Sequence, residues 1–300
     1  MTVPETIPEL LPERAVYAPG EPVRLELRGP VAEGELELTR LGDVRQTRRV
    51  VPGTIDLGEL EAGGWGVRFS DGATVLRTAL DVREPSDPRL RYGFTATYRP
   101  GRDVGELVDT ARRLHLTHVQ CYDWAYRHAD LLGGGESYLD PLGGEISLAT
   151  VRAIAAGLRA AGSAALGYAA VYGVGAEEWP TWEGGALQDA EGETVSLGDF
   201  LRIVDPAWQP WARHLAGELQ AALGLGFAGF HLDQYGWPKV ARRADGEVVD
   251  VAASFVRLIG DLRAALPAAQ LVFNNVNDFP TPRTASLPQD AVYIEPWEPN

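Results

Sequence analysis

The run FAGFHLDQYG at residues 227–236 decides the fold, because it combines an alternating strand pattern with a polar end. Side chains alternate across a strand, so Phe230 should face covering helices while His231, Asp233 and Tyr235 face the opposite way. The polar set falls at the carboxyl end, which is the functional end of strands in a parallel β/α barrel. A carboxylate buried there without partners costs free energy. Asp233 is therefore either a functional group or a structural residue satisfied by backbone donors.

This strand is the fourth of six apolar runs that alternate with helical segments, as expected of β/α units with a parallel sheet. The predicted strands are 91–98, 117–124, 164–172, 228–235, 270–277 and 291–297. The predicted helices are 104–115, 148–162, 206–224 and 251–266, with Asp103, Ser147, Asp205 and Asp250 as N-caps. An eight-stranded barrel needs two further units, so we expect about six units of a (β/α)8-type TIM barrel, an α/β fold.

Residues 1–87 show a different pattern, in which short alternating runs are separated by turn signals containing Gly or Pro. This spacing predicts an all-β sandwich of about seven strands. The stretch EPSDP at 84–88 is the predicted linker, since proline disfavours the interior of both helix and sheet. We therefore expect a β-sandwich domain over 1–87 and a β/α-barrel domain over 88–300 that is incomplete at its C-terminus.

The composition limits the partners. The chain of 300 residues carries a formal net charge of -15, which argues against nucleic acid or an anionic membrane as a partner but not against a neutral sugar. A single cysteine, Cys121, cannot form an intrachain disulfide. The first residues, MTVPETIPELLPER, show no signal-peptide pattern. We expect a cytoplasmic protein from the sequence as given, or a secreted one if its N-terminus has been processed or trimmed.

The sixth predicted strand, VYIEPW at 292–297, places a second carboxylate at the same end of the sheet. Tyr293, Glu295 and Trp297 share one face of it. Two carboxylates across a cleft are what glycoside hydrolysis needs, one as proton donor and one as nucleophile or base. Burial against the aromatic neighbours and the charge of Asp233 should favour protonated Glu295. We therefore assign Glu295 as acid/base and Asp233 as nucleophile, with Glu298 expected on the following loop.

Further polar and aromatic residues at strand ends are candidates for contact with a sugar, through stacking or hydrogen bonds to hydroxyls. They are Gln120, Tyr122, Asp123, Trp124, Arg127, His128, His231, Gln234, Asn274, Asn275, Asn277 and Trp297. Two of them have equally good structural alternatives, Trp124 as a cover of the core and Arg127 as a surface charge. Because buried amides need partners, the three asparagines either bind sugar or brace the carboxylates.

No cofactor is expected. The five histidines lack metal-binding spacing, and His128, His231 and Asp233 form the only metal set we consider. The glycine-rich stretch 133–144 does not run from a strand into a helix as a phosphate-binding loop would. The nucleophile elbow GxSxG of esterases is absent from the sequence.

Taken together, six motifs in order resemble glycoside hydrolase family 66, the family of dextranases and cycloisomaltooligosaccharide glucanotransferases. The motifs are RYGF, QCYDWAYRH, VDPAWQPW, GFHLDQYG, LVFNNVN and YIEPWE. The opening ERAVYAPGEPVRLEL is similar to the immunoglobulin-like domain that precedes the barrel in that family. The resemblance implies a retaining mechanism on α-1,6-linked glucans, with Asp233 as nucleophile and Glu295 as acid/base.

The sequence thus predicts a retaining glycoside hydrolase that acts on dextran or isomalto-oligosaccharides by endo-hydrolysis or transglycosylation. One alternative is a non-catalytic glycan-binding protein that keeps the cleft without turnover. Another is a metal-dependent hydrolase of the barrel class. The retaining mechanism requires the carboxyl groups of Asp233 and Glu295 to lie about 5–5.5 Å apart.

Overall fold

The computed structural model describes residues 7–84, 86–87 and 89–297. Pro85 and Pro88 of the predicted linker, and Glu298, lie outside these ranges. The described chain divides into two compact units. The first unit is built on the segment up to Gly93 with Asp103–Val119 and Ala156–Ala164, and the second on Phe94–Arg102, Gln120–Ala155 and the segment from Ala165 onward. Because these units interleave along the chain, the predicted boundary between residues 87 and 88 stays a prediction.

Seven strands open the chain. They are β1 (Glu9–Pro12), β2 (Pro22–Arg28), β3 (Gly34–Arg40), β4 (Asp43–Val50), β5 (Gly53–Glu59), β6 (Gly63–Ser70) and β7 (Val75–Val82). They form two antiparallel sheets, ordered β1-β2-β5 and β4-β3-β6-β7. Alternate residues such as Leu25, Leu36 and Phe69 face one shared hydrophobic core. The seven-stranded all-β prediction is confirmed, while the immunoglobulin-like type stays a prediction.

The six predicted β/α strands form one sheet in chain order. They are β8 (Tyr92–Thr95), β9 (His118–Cys121), β12 (Ala164–Ala170), β16 (Gly229–Asp233), β19 (Gln270–Val276) and β20 (Ala291–Glu295). The last four pair in parallel, and β8 and β20 are the two edges. Parallel strands in chain order bring their carboxyl ends to one edge of the sheet, which is where the polar residues of β16 and β20 fall.

Helices connect these strands as predicted. The longer ones are α1 (Val104–Arg113), α2 (Leu148–Ala160), α4 (Gln209–Ala222) and α5 (Val251–Ala265), and the short ones are α3 (Trp179–Trp182) and α6 (Thr281–Thr284). Single 3-10 turns follow α3 at Glu183–Gly185 and α4 at Leu223–Leu225. No helix of the described residues is long and apolar enough to cross a membrane.

Three of the four predicted N-caps are confirmed. The carboxylates of Asp103 and Asp250 accept from backbone N–H groups in the first turns of α1 and α5, and the Ser147 hydroxyl accepts from an N–H of α2. Asp205 was predicted wrongly, because α4 begins four residues later at Gln209. Its carboxylate instead accepts from the N–H of Ala207 and pairs with Arg243 at 3.2 Å.

The loops after the second, third and fourth strands of the parallel sheet carry short strands of their own. These are β10 (Ser137–Leu139) and β11 (Glu145–Ser147), β13 (Gly173–Gly175), β14 (Ser196–Leu197) and β15 (Leu201–Ile203), and β17 (Val240–Arg242) and β18 (Val248–Asp250). Each group forms a small antiparallel sheet. Backbone pairing within the loops therefore fixes the side chains at the carboxyl end of the parallel sheet.

One close backbone approach sets the position of the fourth strand. Gly229, the first residue of β16, lies opposite Gln270 of β19. A Cβ atom at Gly229 would lie 1.9 Å from the Gln270 carbonyl oxygen. Only glycine fits this contact, since backbone atoms cannot move aside as a flexible side chain can.

We expect Gly229→Ala to lower the free energy of unfolding by about 2 kcal/mol or more, because the added methyl overlaps backbone. Gly260→Ala is the matched control, since Gly260 lies mid-helix in α5 with nothing near its Cβ position. It should raise the free energy of unfolding by about 0.5–1 kcal/mol. Chemical denaturation measures both, and a Gly229→Ala variant as stable as the parent would contradict this account of the strand contact.

Candidate functional site

Four neighbouring strands bring the polar residues together at the carboxyl end of the parallel sheet. Asp233 and Glu295 are the last residues of β16 and β20, and Asn274 lies on β19 between them. On β12, Tyr168 pairs in register with His231, two residues before Asp233. Because side chains alternate along a strand, residues spaced by two project on the same face.

The Asn274 side chain joins the two carboxylates. Its Nδ2 donates to Asp233 Oδ1 and to Glu295 Oε2, each at 2.7 Å. The two acceptor oxygens can therefore be no more than twice 2.7 Å apart. An amide NH2 has two hydrogens to donate, and both are used here. Asn274 thus braces the carboxylates, which is one of the two roles considered for it from the sequence.

Asp233 is held by a second donor. The Tyr168 hydroxyl donates to Asp233 Oδ2 at 2.8 Å, so each carboxylate oxygen accepts one side-chain hydrogen bond. Burial raises the pKa of Asp233 to about 6, and the negative charge of Glu295 acts in the same direction. Hydrogen bonds from Asn274 and Tyr168 oppose that rise. Asp233 is therefore oriented from both oxygens and titrates within the physiological range.

The prediction that Trp297 buries Glu295 is wrong. The sequence placed Trp297 as a group that removes water from Glu295, but the Trp297 side chain is 73% exposed. Glu295 itself is half-buried at the edge strand. Trp297 therefore cannot supply the burial that was expected to favour protonated Glu295. Instead, its exposed ring is available to a ligand.

A cavity of about 460 Å³ lies over these carboxylates. Its walls are mostly aromatic, and Leu197 is the one aliphatic side chain among them. The lining residues are Phe94, Gln120, Tyr122, Tyr168, Leu197, His231, Asp233, Tyr235, Tyr293, Glu295 and Trp297. Six of them are candidate site residues from the sequence: Gln120, Tyr122, His231, Asp233, Glu295 and Trp297. We call this cavity the main pocket.

Asp123 and His128 line a second cavity of about 120 Å³, which we call the side pocket. It shares Tyr122, Tyr168, Leu197 and Tyr235 with the main pocket, so these four side chains lie between the two. Burial raises the pKa of Asp123 to about 6, and the nearby charge of Asp140 adds to the rise. Burial lowers the pKa of His128 to about 4, so its imidazole is neutral at pH 7.

Three predicted contact residues serve the fold instead. Trp124 is fully buried, donates from Nε1 to the Tyr168 carbonyl at 3.0 Å and packs on Phe227, so it is the core cover considered as the alternative. Gln234 donates to two backbone carbonyls, and Asn275 donates to the carbonyl of Tyr293. Neither lines the main pocket, because each follows an inward-facing residue by one position and faces the other side of the sheet.

Two others lie near the cavities without lining them. The Arg127 guanidinium pairs with Glu177 at 3.3 Å and lies over the Tyr126 ring, so it stabilises its own loop. Asn277 Oδ1 accepts from the backbone N–H of Trp297 at 2.7 Å. Asn277 therefore anchors the segment that presents Trp297.

The buried His231 lies among rings inside the main pocket. Its imidazole stacks with Tyr168 and meets Tyr293 edge-on. Burial lowers its pKa to about 3, so it stays neutral. Among the described residues no group of three His, Cys, Asp or Glu side chains could hold a metal ion, so His128, His231 and Asp233 are not assembled as the set considered from the sequence.

Sequence reasoning missed Tyr168, which carries the second hydrogen bond to Asp233. It also missed Phe94 and Leu197 in the wall of the main pocket. A signal for Tyr168 was present, since aligning the third and fourth strands in parallel sets it beside His231 on the inward face. Leu197 had no such signal, because it comes from a hairpin within a long loop.

Known proteins resemble this chain in sequence and in fold. The model of the family described as Glycosyl hydrolase family 66 matches residues 68–300. A cycloisomaltooligosaccharide glucanotransferase of Niallia circulans is 26% identical over 228 residues, which cover 68% of this chain and 23% of that protein. The solved structure of a cycloisomaltooligosaccharide glucanotransferase of Paenibacillus sp., complexed with cycloisomaltoheptaose, matches with a TM-score of 0.82 and 20% identity. That match covers 97% of this chain and 48% of the other, so this chain spans less than half the length of either relative.

We expect Tyr168→Phe to raise the pKa of Asp233 above about 6, because the carboxylate loses a donor that stabilises its charged form. Carbon-13 NMR of the Asp233 carboxyl during a pH titration measures this. Tyr138→Phe is the control, since that hydroxyl donates to the Trp124 carbonyl and should leave the Asp233 titration unchanged.

The raised pKa of Asp233 also makes the free energy of unfolding depend on pH. The folded protein holds the Asp233 proton more tightly than the unfolded chain, whose pKa is 3.8. This contribution to the free energy of unfolding is present below about pH 4 and lost as the pH rises through about 6. Tyr168→Phe should extend that loss to higher pH, and an unchanged or lowered pKa would contradict the assigned hydrogen bond.

Proposed function

The chain belongs to glycosyl hydrolase family 66, and from that premise we propose that it is a retaining glycoside hydrolase acting on α-1,6-linked glucan. Its substrates would be dextran or isomalto-oligosaccharides, cleaved within the chain or transferred to another sugar. The observation that carries this proposal is the single Asn274 amide that donates to both Asp233 and Glu295.

The distance set by that amide favours retention of configuration. Retaining glycosidases place their two carboxyl groups about 5–5.5 Å apart, whereas inverting ones need about 6.5–9.5 Å to admit a water molecule. Carboxylate oxygens of Asp233 and Glu295 that are at most twice 2.7 Å apart leave no such room between them. A covalent intermediate on one carboxylate is the mechanism that fits this spacing.

The surroundings of Asp233 and Glu295 support their proposed roles as nucleophile and acid/base. Asp233 is oriented through both oxygens by Asn274 and Tyr168, which suits a nucleophile that must attack along one line. With a pKa of about 6 it is mostly ionised at pH 7. Glu295 lies at the edge strand beside the exposed Trp297, where a leaving sugar or a water molecule can reach it.

The chemical steps then follow in two stages. Asp233 forms a bond to the anomeric carbon as the bond to the glycosidic oxygen breaks, and Glu295 gives its proton to that oxygen. Glu295 then takes a proton from water or from a sugar hydroxyl, whose oxygen displaces Asp233 from the anomeric carbon. Water gives hydrolysis, and a sugar hydroxyl gives transglycosylation.

The substrate class rests on the walls of the main pocket and on the relatives. Phe94, Tyr122 and Trp297 are exposed aromatic rings of the kind that stack on sugar faces. An acidic protein with a net charge of -15 suits a neutral polymer better than an anionic one. The names of the matched glucanotransferases support isomalto-type, α-1,6-linked chains.

We expect the protein to release reducing ends from dextran. Asp233→Asn should lower kcat by more than about 10³-fold and Glu295→Gln by about 10²–10⁴-fold, since each removes a group that acts in the transition state. Asp261→Asn, on an exposed position of α5, is the matched control and should keep full activity. Binding of dextran without cleavage, unchanged by Asp233→Asn, would instead favour the glycan-binding alternative.

Azide distinguishes the two carboxylates in variants that lack one of them. With α-glucosyl fluoride, Glu295→Ala plus azide should give α-glucosyl azide, because azide replaces water in attacking the intermediate on Asp233. Asp233→Ala plus azide should give β-glucosyl azide by direct displacement from the opposite face. Proton NMR of the anomeric position reads the outcome, and the reverse pairing of variants and products would exchange the two roles.

A further inference from the structure

The four carboxylate oxygens of Asp233 and Glu295 differ in their hydrogen bonds. Asp233 Oδ1 accepts from Asn274, and Asp233 Oδ2 accepts from Tyr168. Glu295 Oε2 also accepts from Asn274. Among the described residues, none donates a hydrogen bond to the remaining oxygen, Glu295 Oε1. Glu295 Oε1 is therefore the oxygen on which a proton disturbs no hydrogen bond from the protein.

The Asn274 amide is satisfied on one side only. Its Nδ2 uses both hydrogens, one on Asp233 and one on Glu295. Its Oδ1 is buried, yet it has no hydrogen-bond partner within the ranges that the structure describes. An unpaired buried carbonyl oxygen costs free energy, which an apolar side chain at this position would avoid. The NH2 group is therefore the part of Asn274 that the site requires.

This NH2 separates two acids that are close enough to share a proton. The two oxygens that it binds are no more than twice 2.7 Å apart. Without a group between them, protonated Glu295 would be free to donate to Asp233, as in carboxyl pairs that hold one proton between them. That contact would neutralise the nucleophile and take the proton away from the leaving group. An amide NH2 prevents it, because it donates to both acids and accepts from neither.

The other titratable side chains of the main pocket do not exchange protons near neutral pH. Burial lowers the pKa of His231 to about 3. Burial raises the pKa of each tyrosine in the wall, which are Tyr122, Tyr168, Tyr235 and Tyr293. In the described part of the chain, no arginine or lysine lines this pocket. Within the main pocket, the exchangeable proton therefore belongs to Asp233 and Glu295.

We propose that Asn274 is a positioning residue that keeps the proton of Glu295 on Oε1, directed away from Asp233 and toward the leaving group. This inference rests on the proposed function for the reaction that it serves. The proton on Oε1 passes to the glycosidic oxygen, which also takes the electron pair of its bond to the anomeric carbon. Asp233, still ionised, forms the new bond to that carbon.

The kinetic test uses two substrates that differ in their need for a proton. The leaving group of isomaltotriose needs one, whereas fluoride leaves α-glucosyl fluoride without it. Asn274→Leu removes the donor at similar volume, and the ratio of kcat/KM values, isomaltotriose over fluoride, should fall about tenfold or more. Tyr168→Phe is the matched control, because it removes a donor from Asp233 alone and should leave the ratio unchanged.

Thermal unfolding checks that the variants fold. Asn274→Ser, whose hydroxyl has one hydrogen for two carboxylates, replaces Asn274→Leu if the latter does not fold, and the ratio should fall in the same direction. Equal losses for the two substrates in a folded Asn274 variant would overturn the proposal, since a purely structural role would affect both alike.

A titration without substrate tests the same proposal independently of turnover. Carbon-13 NMR of labelled carboxyl groups follows Asp233 and Glu295 in the wild type and in the Asn274 variant. A proton shared between the acids should widen the gap between their two apparent pKa values by about one unit or more in the variant. An unchanged gap would overturn the proposal. A widened gap in a protein whose wild type cleaves neither substrate would count against the proposed function alone.

Discussion

One amide group constrains the site more than any other feature. The Asn274 NH2 lies between two carboxylates that would otherwise repel each other, and it donates one hydrogen to each. The reverse orientation would set a carbonyl oxygen against both acids, so the hydrogen bonds allow only one rotamer of the amide. These hydrogen bonds depend on the order of the strands, since β19 lies between β16 and β20.

The aromatic rings around Asp233 pack against the site and remove water from this carboxylate. Tyr168, His231 and Tyr293 fill the inward face with rings, which removes water from Asp233 and raises its pKa to about 6. The hydrogen bond from the Tyr168 hydroxyl to Asp233 partly replaces the hydrogen bonds that water would otherwise donate.

The six strands and the meeting of Asp233 with Glu295 could be predicted because they depend on local pattern and on alternation along a strand. The same alternation explains two errors, since Gln234 and Asn275 were chosen from their motifs although they fall one position out of phase with Asp233 and Asn274. Trp124 and Arg127 could not be placed, because they follow the strand and are held by contacts with Tyr138 and Leu139 of β10, which are more than ten residues away along the chain. Asp205 failed as an N-cap because α4 begins four residues later, and its carboxylate pairs instead with Arg243, which is distant in sequence. Contacts of that range leave no local signature.

In the function we propose, Asp233 binds the sugar covalently while Glu295 moves the proton. Mass spectrometry after reaction with 5-fluoro-α-glucosyl fluoride tests this most directly, because that substrate forms the covalent intermediate faster than water breaks it. Digestion at low pH should yield one fluoroglucosyl group on the peptide that contains Asp233. A label on Glu295, or no label on a protein that turns the substrate over, would contradict the account.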